Sequence, residues 1–192
     1  MSRPRNEPGA RAKSSAEPRS SVGAPAESIG GSTRRRVPAA SSTARLTQGE
    51  LEEWGAQVGR LARPPVFIGL RGPLGAGKSV LARAVARAMG VGGALPSPTF
   101  NLLFRYDLPD GRGAVHADLF RVESTAELWG LGWRELLSDP DAVALVEWCE
   151  RAGDELPPDR WEVALEYVPG LPGVRDMEVV RFGKPAALPV LS

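Results

Sequence analysis

The fold is decided by the stretch Val66-Phe67-Ile68-Gly69-Leu70-Arg71-Gly72-Pro73-Leu74-Gly75-Ala76-Gly77-Lys78-Ser79. Its first five residues are a short apolar run suited to a parallel strand buried on both faces. Its last eight have the spacing Gly-x-x-x-x-Gly-Lys-Ser, the P-loop pattern that links a strand to the start of a helix. The glycines let backbone amides curl around phosphate oxygens, and the helix that begins there turns its positive end toward the anion. Lys78 supplies a compact ammonium for the β- and γ-phosphates, and Ser79 supplies a hydroxyl for magnesium. The expected ATP contacts are therefore Gly72, Pro73, Leu74, Gly75, Ala76, Gly77, Lys78, Ser79 and Val80. Lysine occurs only at Lys13, Lys78 and Lys184 against twenty-one arginines. A chain that otherwise uses guanidinium for positive charge has kept a flexible point charge at this position.

Upstream, Thr47-Gln48-Gly49-Glu50 has the spacing of a capping box, in which a hydroxyl and a carboxylate satisfy each other's orphan amides. Leu51, Trp54, Val58 and Leu61 then recur at helical spacing, which predicts a helix of about 15 residues ending near Arg63-Pro64-Pro65. Downstream of the loop, Val80, Leu81, Ala84, Val85, Ala88 and Met89 mark the inner face of a second helix that Gly90 can terminate. Residues 101–108 and 114–122 read as strands joined through Pro109-Asp110-Gly111, which has hairpin turn chemistry. A helical stretch over 125–137 is interrupted at Gly130 and Gly132. Ala142 to Val146 is a second apolar run that looks buried on both faces, and it ends at Glu147-Trp148. Residues 161–168 and 174–182 alternate as two late strands near one edge. The expected architecture is one α/β P-loop NTPase domain over residues 46–183, with a mixed, mostly parallel central sheet flanked by helices and an antiparallel hairpin. Residues 184–192 are expected to be a C-terminal tail.

The chain has 192 residues, of which 42% are hydrophobic, enough for one sizeable core. Its net charge of +1 conceals two opposed parts: residues 1–45 hold nine basic and three acidic residues, and the rest hold fifteen and twenty. The first 45 residues contain no aromatic side chain and only Val22, Ile29 and Val37 as larger aliphatics, too little apolar surface to offset chain entropy. They are expected to be a disordered basic extension. Its cluster Arg34-Arg35-Arg36 has two readings, a contact to tRNA or another polyanion and a solvated extension without a partner. Glu7, Glu17 and Glu27 weigh against a transit peptide. Cys149 and His116 are each the only residue of their type. That excludes an intramolecular disulfide, a thiolate metal cluster and a His-paired metal site, and it suits a reducing, cytoplasmic setting. No apolar run approaches the roughly 20 residues that cross a bilayer.

A P-loop NTPase also needs an acid beside the magnesium, usually at the end of a strand neighbouring the P-loop strand. Glu147, closing the run 142–146, is the candidate, either holding the metal through water or polarising the attacking water. Asp118 in Val115-His116-Ala117-Asp118-Leu119-Phe120-Arg121 is a second candidate acid. Catalytic candidates are thus Lys78, Asp118 and Glu147, and metal candidates are Ser79 and Glu147. Trp148 reads either as a base-stacking aromatic or as core. His116 reads as structural, and Cys149 as a small buried residue.

With Gly72 to Ser79, Ser97-Pro98-Thr99-Phe100, His116 to Arg121 and Glu147-Trp148 in this order, the chain resembles the bacterial TsaE family, also known as YjeE. The resemblance runs from about Thr47 to Tyr167. It implies an ATPase, using magnesium, that is required for N6-threonylcarbamoyladenosine in tRNA and works on a transferase complex of TsaD and TsaB, meeting tRNA indirectly through that complex. It also implies a switch-like loop in which Ser97 and Thr99 approach the γ-phosphate or metal, an activity-supporting acid at Asp118, a metal-side acid at Glu147 and an adenine-packing aromatic at Trp148. The chain departs from the family pattern at Pro73, Ser79, Ala117 and Phe120, none of which removes a phosphate or metal ligand.

Two other readings stay open on the residues. One is a small P-loop kinase, which would need an arginine-rich lid that is not evident between Glu147 and the C-terminus. The other is a nucleotide-dependent binding switch. Asp110-Gly111-Arg112-Gly113 mimics a GTPase motif but falls in the predicted hairpin turn, and no Asn-Lys-x-Asp base-reading motif is present.

Overall fold

The computed structural model describes residues 38–93, 95 and 102–189. The first 37 residues and the Ser97 to Phe100 block, with the switch-loop residues Ser97 and Thr99, lie outside the described residues. In chain order the elements are β1 (Ala40–Thr47), α1 (Gln48–Leu61), β2 (Val66–Arg71), α2 (Lys78–Met89), β3 (Leu103–Asp107), β4 (Gly113–Asp118), α3 (Thr125–Gly130), α4 (Trp133–Ser138), β5 (Ala142–Glu147), a 3-10 helix (Cys149–Glu155), β6 (Arg160–Val168) and β7 (Leu171–Phe182).

The seven strands form one sheet in the order β1-β7-β6-β2-β5-β4-β3. The four middle strands β6, β2, β5 and β4 are parallel. Antiparallel strands flank them on both sides, β7 and β1 on one and β3 on the other. The mixed sheet expected from the two apolar runs is present, with its parallel part confined to the middle. In the parallel register Leu70 lies opposite Glu147, and Glu147 opposite Asp118. Three strand ends therefore meet at one edge of the sheet, immediately below the P-loop.

Alternation along the buried strands divides the core between the two faces. Ile68, Leu70, Val143 and Leu145 pack with Leu51, Trp54 and Val58 of α1 and Leu81, Val85 and Met89 of α2. Phe67, Ala142, Ala144 and Val146 pack on the other face with Leu128, Trp133 and Leu136, where Phe67 and Trp133 meet edge to face at 5.8 Å. Helix α1 starts at the expected capping box, with Thr47 accepting from the Glu50 amide and Glu50 accepting from the Thr47 amide. It lies close against α2 because Gly59 has no side chain: a β-carbon there would sit 2.3 Å from the Val85 carbonyl oxygen. The turn after β3 is closed by the Gly111 amide donating to the Leu108 carbonyl at 3.0 Å.

Several boundaries differ from the sequence-based expectation, and β7 begins at Leu171 rather than at residue 174, because Leu171 already pairs with Val168 across a tight turn. Residues 40–45, expected to belong to the disordered extension, form most of β1 and pair with β7. This edge strand is built from small polar residues whose alternate side chains are only partly covered, so no hydrophobic pattern marks it. Its pairing comes from the backbone, with an added Arg45–Asp176 ion pair at 2.7 Å. Strand β4 stops at Asp118 rather than Val122, because the chain turns there and the Val122 amide donates to Leu119. The expected tail after residue 183 is docked through Leu188: the Trp161 indole donates to the Ala186 carbonyl at 2.8 Å, and Ala186 and Leu188 pack on the core. Among the described residues no helix is long and apolar enough to cross a membrane.

Candidate nucleotide site

The loop from Gly72 to Gly77 leaves the end of β2 and runs directly into α2 at Lys78. Gly72 has φ +126°, and a β-carbon on it would lie 2.1 Å from the Leu165 carbonyl oxygen of β6. Only glycine allows the loop to sit this close to the neighbouring strand. Gly77, in left-handed geometry, is the N-cap of α2 and offers no side-chain cap, so the helix amides stay available to an anion.

Lys78 is 4% exposed. Its ammonium donates to the carbonyls of Gly72 at 2.6 Å and Pro73 at 2.9 Å. Burial pushes its pKa below the ordinary lysine value, while Glu147, Glu150 and Asp118 pull the other way. Ser79 Oγ donates to Glu147 Oε2 at 2.7 Å, and His116 Nε2 bonds Glu147 Oε1 at 2.8 Å. Glu147 and His116 are each 2% exposed and Asp118 is 5% exposed. The Asp118 carboxylate accepts from the Phe120 amide at 2.9 Å, which pins the turn after β4.

Trp148 has left-handed backbone geometry, φ 55° and ψ 40°, which is strained for a bulky residue. Its amide donates to the Leu70 carbonyl at 2.9 Å. Its ring lies with the centroid 3.9 Å from Lys78 Nζ and 5.0 Å from the Phe120 ring. Trp148 thus forms a wall of the site rather than part of the deep core.

These groups line a cavity of about 380 Å³ bounded by the P-loop, Arg83, Asp118, Phe120, Glu147 and Trp148. A larger hollow of about 490 Å³ lies at the opposite end of the sheet, where Val66 and Ala142 begin their strands. The smaller cavity joins a glycine loop, an ammonium, a helix start and two carboxylates, and that chemistry rather than volume makes it the candidate site. The Ser79 hydroxyl and the Glu147 carboxylate, already held together, are a pair of hard oxygen donors. Such a pair fits magnesium, which takes few protein ligands and completes its shell with phosphate and water.

The sequence candidates Lys78, Ser79, Asp118, Glu147 and Trp148 are thus brought together. Asp110 to Gly113, the GTPase mimic, lies in the hairpin turn at the far end of β4. Three contributors carry no signal of their role in the sequence. His116, expected to be structural, holds the second oxygen of Glu147. Tyr167 and Arg175, on the paired strands β6 and β7, grip the outside of the P-loop: the Tyr167 hydroxyl donates to the Leu74 carbonyl at 2.6 Å, and Arg175 donates from Nε to the Ala76 carbonyl at 3.1 Å. Their distance along the chain from the loop leaves no local pattern to read.

The family model described as "Threonylcarbamoyl adenosine biosynthesis protein TsaE" matches residues 46–170. Among curated proteins, the tRNA threonylcarbamoyladenosine biosynthesis protein TsaE of Streptomyces coelicolor is 35% identical over 62% of this chain and 81% of its own length. The TsaE of Mycobacterium tuberculosis is 38% identical over 59% of this chain and 71% of its own length, and that of Treponema pallidum is 35% identical over 54% and 75%. The fold is similar to the crystal structure of Bacillus subtilis YdiB, with TM-score 0.61, 21% identity and coverage of 75% of this chain and 87% of that one. The P-loop, the acids at the neighbouring strand ends and the match over residues 46–170 place this chain in the TsaE family.

Proposed function

We propose that this chain is a magnesium-dependent ATPase of slow turnover that serves N6-threonylcarbamoyladenosine modification of tRNA in the cytoplasm by acting on a complex of TsaD-like and TsaB-like proteins. One observation carries the reading: Lys78, Ser79, Asp118 and Glu147 converge at one edge of the sheet, below a glycine-rich loop that runs into the start of α2. The loop amides and Lys78 hold the phosphates, and Trp148 with Phe120 forms an apolar wall for adenine and against water. Hydrolysis adds water across the β–γ phosphoanhydride to give ADP and phosphate. Both Glu147 oxygens are engaged, one by Ser79 and one by His116, which supports Glu147 as a metal-side acid that fixes the Ser79 hydroxyl. When bound, magnesium would be held by Ser79 and Glu147 and would neutralise phosphate charge.

The test is a pull-down of TsaD-like and TsaB-like proteins on this chain with and without ATP. Nucleotide-dependent capture is expected, and capture of neither under both conditions would contradict the partner assignment. The kinase reading predicts a different product. With γ-labelled ATP and a panel of nucleoside, nucleotide and sugar acceptors, label is expected only in free phosphate, and a phosphorylated acceptor would replace the ATPase reading.

A further inference from the structure

Every carbonyl of the P-loop has a donor. Lys78 takes the carbonyls of Gly72 and Pro73, the second shared with the Ala76 amide at 3.2 Å. The Leu81 amide takes that of Gly77 in the first turn of α2. The three between them are taken by one hairpin: Leu74 by the Tyr167 hydroxyl at 2.6 Å, Gly75 by Arg175 Nη2 at 3.5 Å, and Ala76 by Arg175 Nε at 3.1 Å.

The guanidinium is itself held, with Nη1 donating at 2.7 Å to both the Pro172 and Val174 carbonyls and the group lying 4.6 Å from the Tyr167 ring centroid. In a loop of successive peptide units, turning the carbonyls outward onto fixed donors turns the amides inward, which is the geometry of an anion cradle. A glycine-rich loop has the most conformational freedom to lose, so fixing its outer face from outside lowers the cost of binding.

We propose that Tyr167 and Arg175 are positioning residues for nucleotide binding. The β6–β7 hairpin acts as an external brace that holds the P-loop in its phosphate-binding shape before phosphate arrives. The proposal rests on the nucleotide-binding reading and adds a specific dependence on this hairpin. Because the brace acts on the empty loop, and bound phosphate itself holds the loop once present, its loss should weaken binding without slowing the bound complex.

The experiment compares the full chain with Tyr167→Phe, Arg175→Ala and Arg175→Lys. It measures the ATP dissociation constant, KM and kcat for hydrolysis, and melting without nucleotide. Tyr167→Phe deletes one neutral hydroxyl and changes no charge, so it separates loop shape from attraction of the guanidinium for ATP. Its Kd and KM are expected to rise about three- to tenfold, the scale of one hydrogen bond, with kcat within about twofold. Arg175→Ala should lose about tenfold or more, and Arg175→Lys, which keeps the charge and can reach one carbonyl, should fall between the two.

If Arg175→Ala melts near the assay temperature, Tyr167→Phe decides alone. The brace is refuted if folded Tyr167→Phe binds ATP as the wild type does, or if its loss appears in kcat with KM unchanged. Absence of ATP binding by the wild-type chain would instead refute the nucleotide reading itself.

Discussion

Gly72→Ala puts the largest predicted effect on the smallest change. A β-carbon at Gly72 would lie 2.1 Å from the Leu165 carbonyl oxygen, where real contacts stay beyond 3.0 Å. The oxygen is main chain of β6, a strand held between β2 and β7, and cannot rotate away, so the loop has to retreat by about 0.9 Å, the difference between those two distances. The backbone angle, φ +126°, adds strain of about 1–3 kcal/mol for a residue with a side chain. For a domain of this size that corresponds to a fall in Tm of roughly 2–12 °C. Retreat also moves the Gly72 carbonyl that receives the Lys78 ammonium and tilts the amides that should face phosphate. A displacement near 1 Å in such a site costs about a hundredfold in reaction rate, and the same retreat should weaken ATP binding by clearly more than threefold. Calorimetric titration with ATP and a thermal melt without it measure the two effects separately. A variant that binds ATP within threefold of wild type and melts at the same temperature would show that the loop does not rest on β6 as described.

Further expectations concern the remaining walls of the site and the boundary of the fold. Trp148→Ala should weaken ATP binding about tenfold through loss of stacking, and an unchanged dissociation constant would exclude base stacking by this ring. Lys78→Met should abolish measurable ATP binding while leaving the nucleotide-free melting temperature equal or higher, because burial of the ammonium disfavours its charge; a clear drop would show that its bonds to the loop dominate. Removing residues 1–37 should leave ATP affinity and Tm unchanged. Removing residues 1–45 takes six residues of β1 with it and should lower Tm by roughly 5 °C; equal behaviour of the two truncations would mean that β1 contributes nothing.

The parts of this molecule legible in its sequence are those whose physics is local. The P-loop is legible because it needs glycines, a lysine and a hydroxyl at fixed spacing between a strand and a helix. Strands β2 and β5 are legible because burial on both faces leaves uninterrupted apolar runs, and the start of α1 because Thr47 and Glu50 cap each other within one turn. Glu147 follows from its position at the end of such a run. What stays hidden depends on distant pairing. Strand β1 draws its stability from β7, and its own side chains carry almost no pattern. The grip of Tyr167 and Arg175 on the loop exists only once β6 and β7 have been laid beside β2. His116 could be recognised as buried, but its bond to Glu147 required the register that sets β4 against β5.

The central claim is that Glu147 belongs to an ATP-hydrolysing site and not to the mere support of a strand end. Glu147→Gln keeps the side chain's shape and removes its charge. Measured side by side with wild type, in the presence of magnesium, it should bind ATP with a dissociation constant within several-fold of wild type and hydrolyse it about a hundredfold more slowly. Hydrolysis at the wild-type rate by the variant would contradict the assignment.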